Sequence, residues 1–472
     1  MLPPPFDLQM QQLLDGEEYM AFIAALQEPP PVSVRLNPLK TAEGSGWAAE
    51  GGEIETASPF TIRHLPSTLT PVPWNPFGFY LSERPVFTLD PAFHAGAYYV
   101  QEASSMFLYE ALRQTVYFSK SLKVLDLCAA PGGKSTLVAD MLSPGSLLVA
   151  NEVIRPRVGI LRENLEKWGI ANIAVSSAEA EEFAALDGFF DIVVADAPCS
   201  GEGLFRKDPD AVREWSPANV ELCCGRQRSI LVGAVKTLAP GGVLAYSTCT
   251  FNRAENEDNV AWLIQNFDLE LLQLEIPSEW GIRTTEGGYR FFPHRVRGEG
   301  FFISVLRKKE SNLKRHNPPS GFKNIKPLAR TLVPEAARWL KTEAGVRFFQ
   351  TTTGEVLALP GALENEYLIL DKFLKAKWFG TMIGGFKGSD FIPSHALALS
   401  NLISPALPAL DLERGLALRF LKKETFDLSP ETPRGWVLAR FEGLNIGWMK
   451  ALPGRMNNYL PQERRIRMDI QI

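Results

Sequence analysis

Several classes of protein are excluded by what this sequence lacks. Its five cysteines include no Cys-x-x-Cys pair, which argues against a zinc site and against a disulfide framework. No segment approaches the ~18 consecutive apolar residues of a membrane helix. The N-terminus has no basic segment followed by an apolar core, so we expect neither an export signal nor a membrane partner. None of the five histidines lies in a recognisable motif with serine or cysteine. We therefore expect a cytoplasmic protein with reduced thiols and no metal.

The charge is distributed unevenly along the chain. Hydrophobic residues make up 45% and charged residues 22% of the 472 residues, and the net charge is −5, as in ordinary globular proteins. Residues 1–100 contain four basic and eleven acidic side chains, whereas residues 288–330 contain eleven basic and two acidic ones. The basic segment is either a surface for nucleic-acid phosphates or a solvated linker. The sequence alone favours neither interpretation.

Strands and helices alternate from residue 122 onwards. Apolar runs predict strands at 123–127, 147–151, 172–176, 190–195 and 242–246, and amphipathic patterns predict helices from residue 135, at 155–168 and at 220–238. Strands separated by helices indicate an α/β domain with a doubly wound, Rossmann-like parallel sheet. Two further apolar runs, 289–292 and 300–306, are expected to add an antiparallel edge to that sheet.

Composition and pattern divide the chain into five segments. We expect an N-terminal α/β module over 1–90, the doubly wound domain over 91–308, a basic linker over 309–327, a small mixed domain over 328–390 and a second small domain over 391–472. A helix is predicted to begin within residues 98–106. At about 100–200 residues per domain, the length allows two to four domains.

Two cysteines follow predicted strands of the sheet. Asp196-Ala-Pro-Cys199-Ser-Gly-Glu-Gly203 follows one apolar run, and Ser247-Thr-Cys249-Thr-Phe251 follows another. Because ligands bind outside the carboxyl ends of strands in open parallel sheets, Cys199, Cys249 and Asp196 are expected to meet in one crevice. A cysteine near a strand is often only a small buried apolar residue. Two of them at strand ends, one beside an aspartate, indicate nucleophilic chemistry instead.

The turn after the first predicted strand of this domain has the composition of a ligand-binding loop. It comprises Cys128, Ala129, Ala130, Pro131, Gly132, Gly133 and Lys134. Glycines let backbone amides approach a ligand, and the start of the following helix favours negative charge. Cys128 stands where a phosphate loop requires glycine. Asp126 and Glu152 end successive strands, and an acid at the second position binds ribose hydroxyls in nucleoside-cofactor sites. The pattern indicates an adenosyl ligand without a polyphosphate, which fits S-adenosylmethionine.

Thiols and a carboxyl group in one crevice fit the methylation of a pyrimidine at carbon 5. Carbon 5 is a poor nucleophile until a thiolate adds at carbon 6 and pushes electron density onto it. An acid at ring nitrogen 3, for which Asp196 is the natural residue, stabilises the developing charge. A second cysteine can help to remove the carbon 5 proton or to release the first. The base must present its face, so the target is single-stranded or flipped out.

These motifs resemble those of the Nop/Sun family of RNA cytosine-5 methyltransferases, and in particular its bacterial members that act on small-subunit ribosomal RNA. The resemblance rests on residues 125–134, 196–203, 206–209, 247–250 and 255–257, and on N-terminal signatures at 35–37 and 99–106. It covers about residues 32–306. The C-terminal segment, 391–472, resembles the PUA-like RNA-binding tail of the bacterial members.

The resemblance implies an S-adenosylmethionine-dependent methyltransferase whose partner is ribosomal RNA or the small ribosomal subunit. It makes Cys249 the nucleophile and Cys199 the residue that assists product release. The residues alone leave this assignment open, because DNA cytosine methyltransferases use a Pro-Cys cysteine as the nucleophile. Arg206 and Lys207 are expected to meet the RNA or to order the loop.

The same resemblance implies a set of cofactor-binding residues. The backbone from Cys128 to Gly133, together with Lys134, would hold the cofactor beside Asp196. Glu152 would bind its ribose, and Glu179 is expected near its adenine.

Two other functions remain open at this point. One is methylation of another target, either transfer RNA or protein, although amine methylation in a protein needs no thiol. The other is an RNA-binding ribosome assembly factor with a degenerate methyltransferase domain. Intact Asp196, Cys199 and Cys249 argue against degeneracy.

Overall fold

A helix pair and a small sheet form the N-terminal part of the computed structural model, which describes residues 2–41, 68–309, 314–453 and 455–468. The second helix begins where the Asp15 side chain accepts a hydrogen bond from the Glu18 backbone amide. The elements are α1 (Pro4–Leu13), α2 (Gly16–Ala25), β1 (Val32–Leu36), α3 (Pro38–Thr41), β2 (Leu69–Pro71), β3 (Gly78–Leu81), α4 (Pro91–Ala95) and β4 (Tyr98–Val100). The strands form a sheet in the order β2-β3-β1-β4.

The N-terminal sheet extends past residue 90, where the sequence suggested a boundary. Strand β4 pairs antiparallel with β1, so that Val34 lies opposite Val100. The helix predicted to begin within 98–106 therefore starts later, because Tyr98, Tyr99 and Val100 have the aromatic and β-branched side chains that favour strands. A short 3₁₀ turn over Ser104–Phe107 precedes the α-helix.

The central domain is built on a sheet with five adjacent parallel strands. Its elements are α5 (Leu108–Thr115), β5 (Lys123–Asp126), α6 (Gly133–Ala139), β6 (Leu147–Asn151), α7 (Arg155–Trp168), β7 (Ile173–Ser176), β8 (Phe190–Asp196), α8 (Pro209–Glu214), α9 (Pro217–Thr237), β9 (Leu238–Thr248), α10 (Glu257–Asn266), β10 (Leu269–Leu271), β11 (Arg283–Thr284), β12 (Tyr289–Phe291) and β13 (Phe301–Lys308). The parallel strands lie in the order β9-β8-β5-β6-β7. Strand β5, the first of these five strands along the chain, lies in the middle of them, so the strand order reverses beside it. This confirms the doubly wound α/β fold and places a ligand crevice at the carboxyl ends of β5 and its neighbours.

Both edges of the central sheet are antiparallel. On one side β13 pairs with β9, and β12 pairs with β13, which confirms the edge predicted from the apolar runs at 289–292 and 300–306. On the other side β17 (Ala376–Phe379) pairs with β7. This strand comes from the segment 328–390, which the sequence suggested as a separate domain. The local sequence pattern of β17 does not predict that it pairs with a strand as distant in the chain as β7.

Two further sheets form the C-terminal part of the chain. The first contains β14 (Ile325–Pro327), β15 (Val346–Thr351), β16 (Glu355–Pro360), β18 (Thr381–Lys387) and β19 (Asp390–Pro393), with helices α11 (Val333–Ala337), α12 (Glu364–Phe373) and α13 (His395–Leu399). Strand β19 pairs with β18, so the suggested boundary at 390 falls inside a strand. The second contains β20 (Ala409–Asp411), α14 (Arg414–Leu421), β21 (Gly435–Phe441), β22 (Leu444–Leu452) and β23 (Arg455–Asn458).

The basic segment is largely engaged with the central domain where the structure describes it. Arg290 is buried and paired with Glu257. Lys308 donates to the backbone carbonyls of Val235 and Leu238 at 3.0 and 2.8 Å. The expected linker 309–327 lies partly outside the described residues, and its residues 325–327 form strand β14. Much of the local positive charge therefore serves internal contacts. Among the described residues no helix is long and apolar enough to cross a membrane.

Candidate active site

The two motif cysteines meet at the carboxyl ends of neighbouring parallel strands. Strands β8 and β9 lie side by side with Asp196 opposite Ser247, so the loops that follow them are adjacent. The Sγ atoms of Cys199 and Cys249 are 2.9 Å apart. The Cys249 backbone amide also donates to Cys199 Sγ at 3.3 Å. The sequence prediction that Cys199, Cys249 and Asp196 share one crevice agrees with this geometry.

Two carboxylates, Glu202 and Glu255, hold the cysteine loops together. Glu255 Oε2 accepts from the Ser200 backbone amide at 3.0 Å and from Gln227 Nε2 at 2.7 Å. Glu202 Oε2 accepts from the Phe251 backbone amide at 2.9 Å. Both carboxylates are fully buried, and burial raises the pKa of Glu255 although its hydrogen bonds oppose the shift. Both residues lie within the motifs at 196–203 and 255–257, but their sequence context does not predict this supporting role.

Gly203 is required by the close approach of the two loops. Its backbone amide donates to the Cys249 carbonyl at 2.9 Å. A Cβ at this position would lie 2.5 Å from the Gly300 carbonyl oxygen and 2.9 Å from that of Cys249. Any side chain would push the backbone of the Cys249 loop away, so the glycine sets the position of the cysteine.

A lysine and an aspartate lie beside the cysteine pair. Lys134 Nζ is 2.8 Å from Asp196 Oδ2, and Ser247 Oγ donates to Asp196 Oδ1 at 2.7 Å. Burial alone would lower the pKa of Lys134, but Asp196, and to a smaller extent Asp126 and Cys249, raise it overall. Lys134 therefore stays an ammonium and supplies the positive charge that a thiolate nucleophile needs nearby.

Cys199 is held as a neutral thiol by its surroundings. The hydrogen bond with Cys249, then burial, then the charges of Cys249 and Glu255 raise the pKa of Cys199 well above its usual value. Cys249 lines the adjoining cavity, and Cys199 is not among its lining residues. This position favours Cys249 as the sulfur that a substrate meets first.

The cavity in front of Cys249 has a volume of about 370 Å³. Of the residues predicted to bind cofactor, RNA or substrate, it is lined by Cys128, Ala129, Ala130, Pro131, Gly133, Lys134, Asp196, Lys207 and Cys249. Gly132 is not among the lining residues; it is the N-cap of helix α6, with φ of +115°, a conformation that favours glycine. The cavity thus unites the glycine-containing turn and the cysteine loops.

Asp126 lies buried beneath this turn with one oxygen unsatisfied. Its Oδ2 accepts from Ser135 Oγ at 2.6 Å, but its Oδ1 has no hydrogen-bond partner. Burial raises the pKa of Asp126 to about 7, although the Ser135 hydrogen bond opposes the shift. A buried carboxyl oxygen without a donor is costly, and such a group is typical of a site completed by a ligand.

Glu152 and Glu179 make local contacts instead of lining the cavity. Glu152 is buried at the end of β6, accepts from the Ile154 backbone amide at 2.8 Å and pairs with Arg157 at 3.3 Å. Glu179 is exposed and caps the following 3₁₀ helix in a reciprocal arrangement with Glu182. The role of Glu179 beside an adenine remains a prediction that this capping geometry does not support.

Arg206 and Lys207 are neighbours in sequence with different surroundings. The Arg206 side chain is only 4% exposed, lies 3.0 Å from Glu299 and donates to the Gly298 carbonyl at 2.6 Å. Its Nε and Nη2 donors are used internally, so it is positioned to order the loop. Lys207 is exposed and lines the cavity, so it is the one of the pair that can contact a phosphate.

Several residues that line the cavity were not predicted as site residues from the sequence. Tyr99, Gln101 and Glu102 come from the N-terminal side of the cavity, and Phe301 lies under Lys134 with its ring centre 5.4 Å from Nζ. The first three belong to the signature at 99–106, which was a usable signal. Phe301 has none, because it reaches the site through antiparallel pairing of a distant strand.

Arg35 connects the N-terminal sheet to the glycine-containing turn. Its buried guanidinium forms an ion pair with Asp140, donates to Thr136 Oγ1 at 2.6 Å and reaches the Gly133 carbonyl at 3.3 Å. It also stacks over the Trp168 ring, 4.6 Å from its centre. Arg35, from the signature at 35–37, thereby positions the first turn of α6, whose residues Gly133 and Lys134 line the cavity.

We expect Arg35→Met to destabilise the protein strongly. Removing one partner of a buried pair leaves the Asp140 carboxylate without its cation, which costs about 3–5 kcal/mol in the free energy of unfolding. Urea unfolding of the variant measures this loss, and Arg330→Met, at an exposed position, is the matched control. Equal unfolding midpoints for the two variants would contradict the role given to Arg35.

Comparison with known proteins identifies the family. The profile of 16S rRNA methyltransferase RsmB/F matches residues 117–307, and those of the RsmF N-terminal and PUA domains match 2–103 and 408–466. The chain is 37% identical to ribosomal RNA small subunit methyltransferase F of Erwinia tasmaniensis over 98% of this chain and 96% of that relative. The chain belongs to the RsmB/F family of 16S rRNA methyltransferases.

Another member of the family and one solved structure are similar to about two thirds of the chain. The ribosomal RNA small subunit methyltransferase F of Cronobacter sakazakii is 38% identical to this chain. The aligned region covers 66% of this chain and 64% of that relative. A methyltransferase homologue from Pyrococcus horikoshii is 29% identical with a TM-score of 0.53, over 64% of this chain and 94% of that one. The RsmB/F chain is therefore a methyltransferase with a Rossmann-like domain and a C-terminal PUA domain, as the sequence predicted.

Proposed function

We propose that this RsmB/F protein transfers a methyl group from S-adenosylmethionine to carbon 5 of a cytosine in small-subunit ribosomal RNA, in the cytoplasm. The observation that carries the proposal is the meeting of Cys199 and Cys249 beside Lys134 and Asp196 in one cavity. A transferase that methylated an amine or a hydroxyl group would need neither thiol. The substrate class is supported by the names of the relatives that match nearly the whole chain.

The residues of the turn fit S-adenosylmethionine. The Cys128–Gly133 backbone borders the cavity, the Gly132 conformation excludes a bulky side chain, and Asp126 carries an oxygen that lacks a donor. When bound, the cofactor supplies an electrophilic methyl group on a sulfonium. The turn would hold the cofactor in the cavity that Cys249 also lines. Glu152 and Glu179 do not line the cavity, and their contacts with the ribose and the adenine stay predictions.

The first step assigned to the chain is attack by Cys249. Its sulfur forms a bond to carbon 6 of cytosine, and the electron pair of the ring double bond moves to make carbon 5 nucleophilic. Lys134 Nζ donates to Asp196 Oδ2, so this pair can share a proton with ring nitrogen 3 and stabilise the charge there. Carbon 5 then takes the methyl group.

Cys199 becomes a base only after the adduct has formed. The largest cause of its raised pKa is the hydrogen bond with Cys249, and the charge of Cys249 contributes as well. When the Cys249 sulfur is bonded to carbon 6, these two causes no longer act, whereas burial and the charge of Glu255 still raise the pKa of Cys199. Once the Cys199 thiol has given its proton to solvent, the thiolate can take the proton from carbon 5. The electrons of that C–H bond restore the ring double bond and expel the Cys249 sulfur.

The test is methyl transfer from labelled S-adenosylmethionine to three substrates: naked 16S ribosomal RNA, assembled small subunits and transfer RNA. We expect 5-methylcytosine in ribosomal RNA, identified by nucleoside mass spectrometry. 5-Methylcytosine in transfer RNA alone would keep the chemistry and overturn the substrate. Cofactor binding without methylation of any of them would favour an RNA-binding assembly factor.

We also expect cofactor affinity to rise with pH through about 7. The pKa of Asp126 is raised to about 7 by burial, so the carboxyl is mostly protonated below that pH and ionised above it. S-adenosylmethionine is cationic and binds the ionised form better, so its affinity should fall by up to about tenfold per pH unit below pH 7. Calorimetry between pH 5.5 and 8 measures this. Asp126→Asn should bind more weakly and flatten the profile, whereas a flat wild-type profile would contradict the assignment.

A further inference from the structure

A large cleft opens from the catalytic cavity between the N-terminal sheet and the central domain. Its volume is about 960 Å³, at the upper end of the ~300–1,000 Å³ range of small-ligand pockets. It shares Val100, Gln101, Glu102, Lys207 and Glu299 with the cavity in front of Cys249. The two spaces therefore adjoin each other across these side chains.

The two walls of this cleft differ in character. The wall from the central domain contains Lys207 and Arg297, both exposed, and neither forms an ion pair within the described ranges. The opposite wall contains Pro29, Pro30 and Pro31. The first wall can bind phosphates, and the second offers a rigid apolar surface to the faces of bases.

The carboxylates at the junction of the two spaces already have partners within the protein. Glu299 is paired with Arg206 at 3.0 Å. Glu102 accepts from the backbone amides of Ser104, Ser105 and Glu299 at 2.8 to 2.9 Å. Two further carboxylates, Glu28 and Glu83, are exposed on the proline side, where Arg84 is also exposed. The lining as a whole contains four basic and four acidic side chains, and the wall from the central domain contributes the two cations Lys207 and Arg297.

We propose that this cleft binds the single-stranded RNA next to the target cytosine, with its phosphates on Arg297 and Lys207 and its bases toward the triproline wall. This inference rests on the proposed function and extends it to the path of the strand. A base that enters the catalytic cavity leaves its neighbours at the mouth, where the cleft begins. Cations along one wall then track the backbone, as in other single-strand sites.

The test uses Arg297→Gln in the full-length protein, with Arg330→Gln at an exposed distant position as the control. Binding of an RNA oligonucleotide that contains the methylated cytosine is measured across a salt series. We expect Arg297→Gln to weaken binding about five- to tenfold at low salt and to reduce the slope of log K against log salt by about one. It should raise KM for RNA and leave kcat and cofactor affinity at the wild-type values.

A second measurement identifies the occupant of the cleft. Removing the nucleotides on one side of the target cytosine should lower the RNA affinity of the wild type. The same removal should lower the RNA affinity of Arg297→Gln much less. Equal losses in the two proteins, or an unchanged salt slope, would overturn the inference while wild-type methylation still supported the proposed function. An effect of Arg297→Gln seen only with assembled subunits would also overturn it and favour a protein partner. Absence of 5-methylcytosine with the wild type would instead refute the proposed function itself.

Discussion

Cys249→Ala is expected to abolish methyl transfer and to leave the cofactor bound. The alanine cannot add to carbon 6, so carbon 5 stays unreactive, and we expect a loss of about 10⁴-fold or more in kcat/KM. The cavity loses only one sulfur atom, whereas the turn from Cys128 to Lys134 is untouched. Single-turnover transfer of labelled methyl groups measures the rate, and calorimetry measures the affinity for S-adenosylmethionine.

A cysteine outside the site serves as the matched control for this experiment. Cys224 is half-buried on helix α9, so Cys224→Ala removes a thiol without touching the cavity. It should retain wild-type activity. Residual activity of Cys249→Ala within tenfold of the wild type would contradict covalent catalysis by this residue.

Cys199→Ala is expected to accumulate a covalent enzyme–RNA complex. The variant retains Cys249 and can form the bond to carbon 6, but it lacks the sulfur that lies 2.9 Å from Cys249 and that we propose as the base for the carbon 5 proton. Release then becomes the slow step, and we expect more than half of the enzyme to stay attached to RNA. A band of retarded mobility on a denaturing gel, sensitive to ribonuclease, measures the complex.

The double variant separates this explanation from a change in RNA affinity. Cys199→Ala combined with Cys249→Ala should form no band that survives denaturation, because the attacking sulfur is gone. Full turnover by Cys199→Ala without any adduct would show that another group removes the proton. An adduct that persisted in the double variant would show that neither cysteine forms it.

The strands that carry the cysteines could be predicted because their apolar runs are local. The run before Asp196 and the run before Cys249 each predict a buried strand, and the parallel topology then brings their ends together. Helix α7 has the bounds that its amphipathic pattern predicts. The grouping of Cys199, Cys249 and Asp196 could be predicted because the sequence gives both the residue types and their positions at the strand ends.

Long-range contacts lie beyond what sequence patterns can predict. Strand β17 joins the central sheet from about 200 residues away from its partner β7, and no local periodicity reports such a pairing. The buried role of Arg206 depends on Glu299, and the cap formed by Glu179 depends on the turn geometry after β7. The sequence shows that Arg206 and Glu179 are charged and lie close to the site motifs. Only the fold shows whether each charged group contacts a ligand or another part of the protein.

The most direct test of the central claim is to trap the covalent intermediate on the wild-type enzyme. RNA with 5-fluorocytidine at the target position can accept the thiolate and the methyl group, but carbon 5 then carries no proton to remove, so the bond between Sγ and carbon 6 persists. Peptide mass spectrometry should find the nucleotide attached to Cys249. Attachment to Cys199, or methylation of RNA without any attached peptide, would contradict the account.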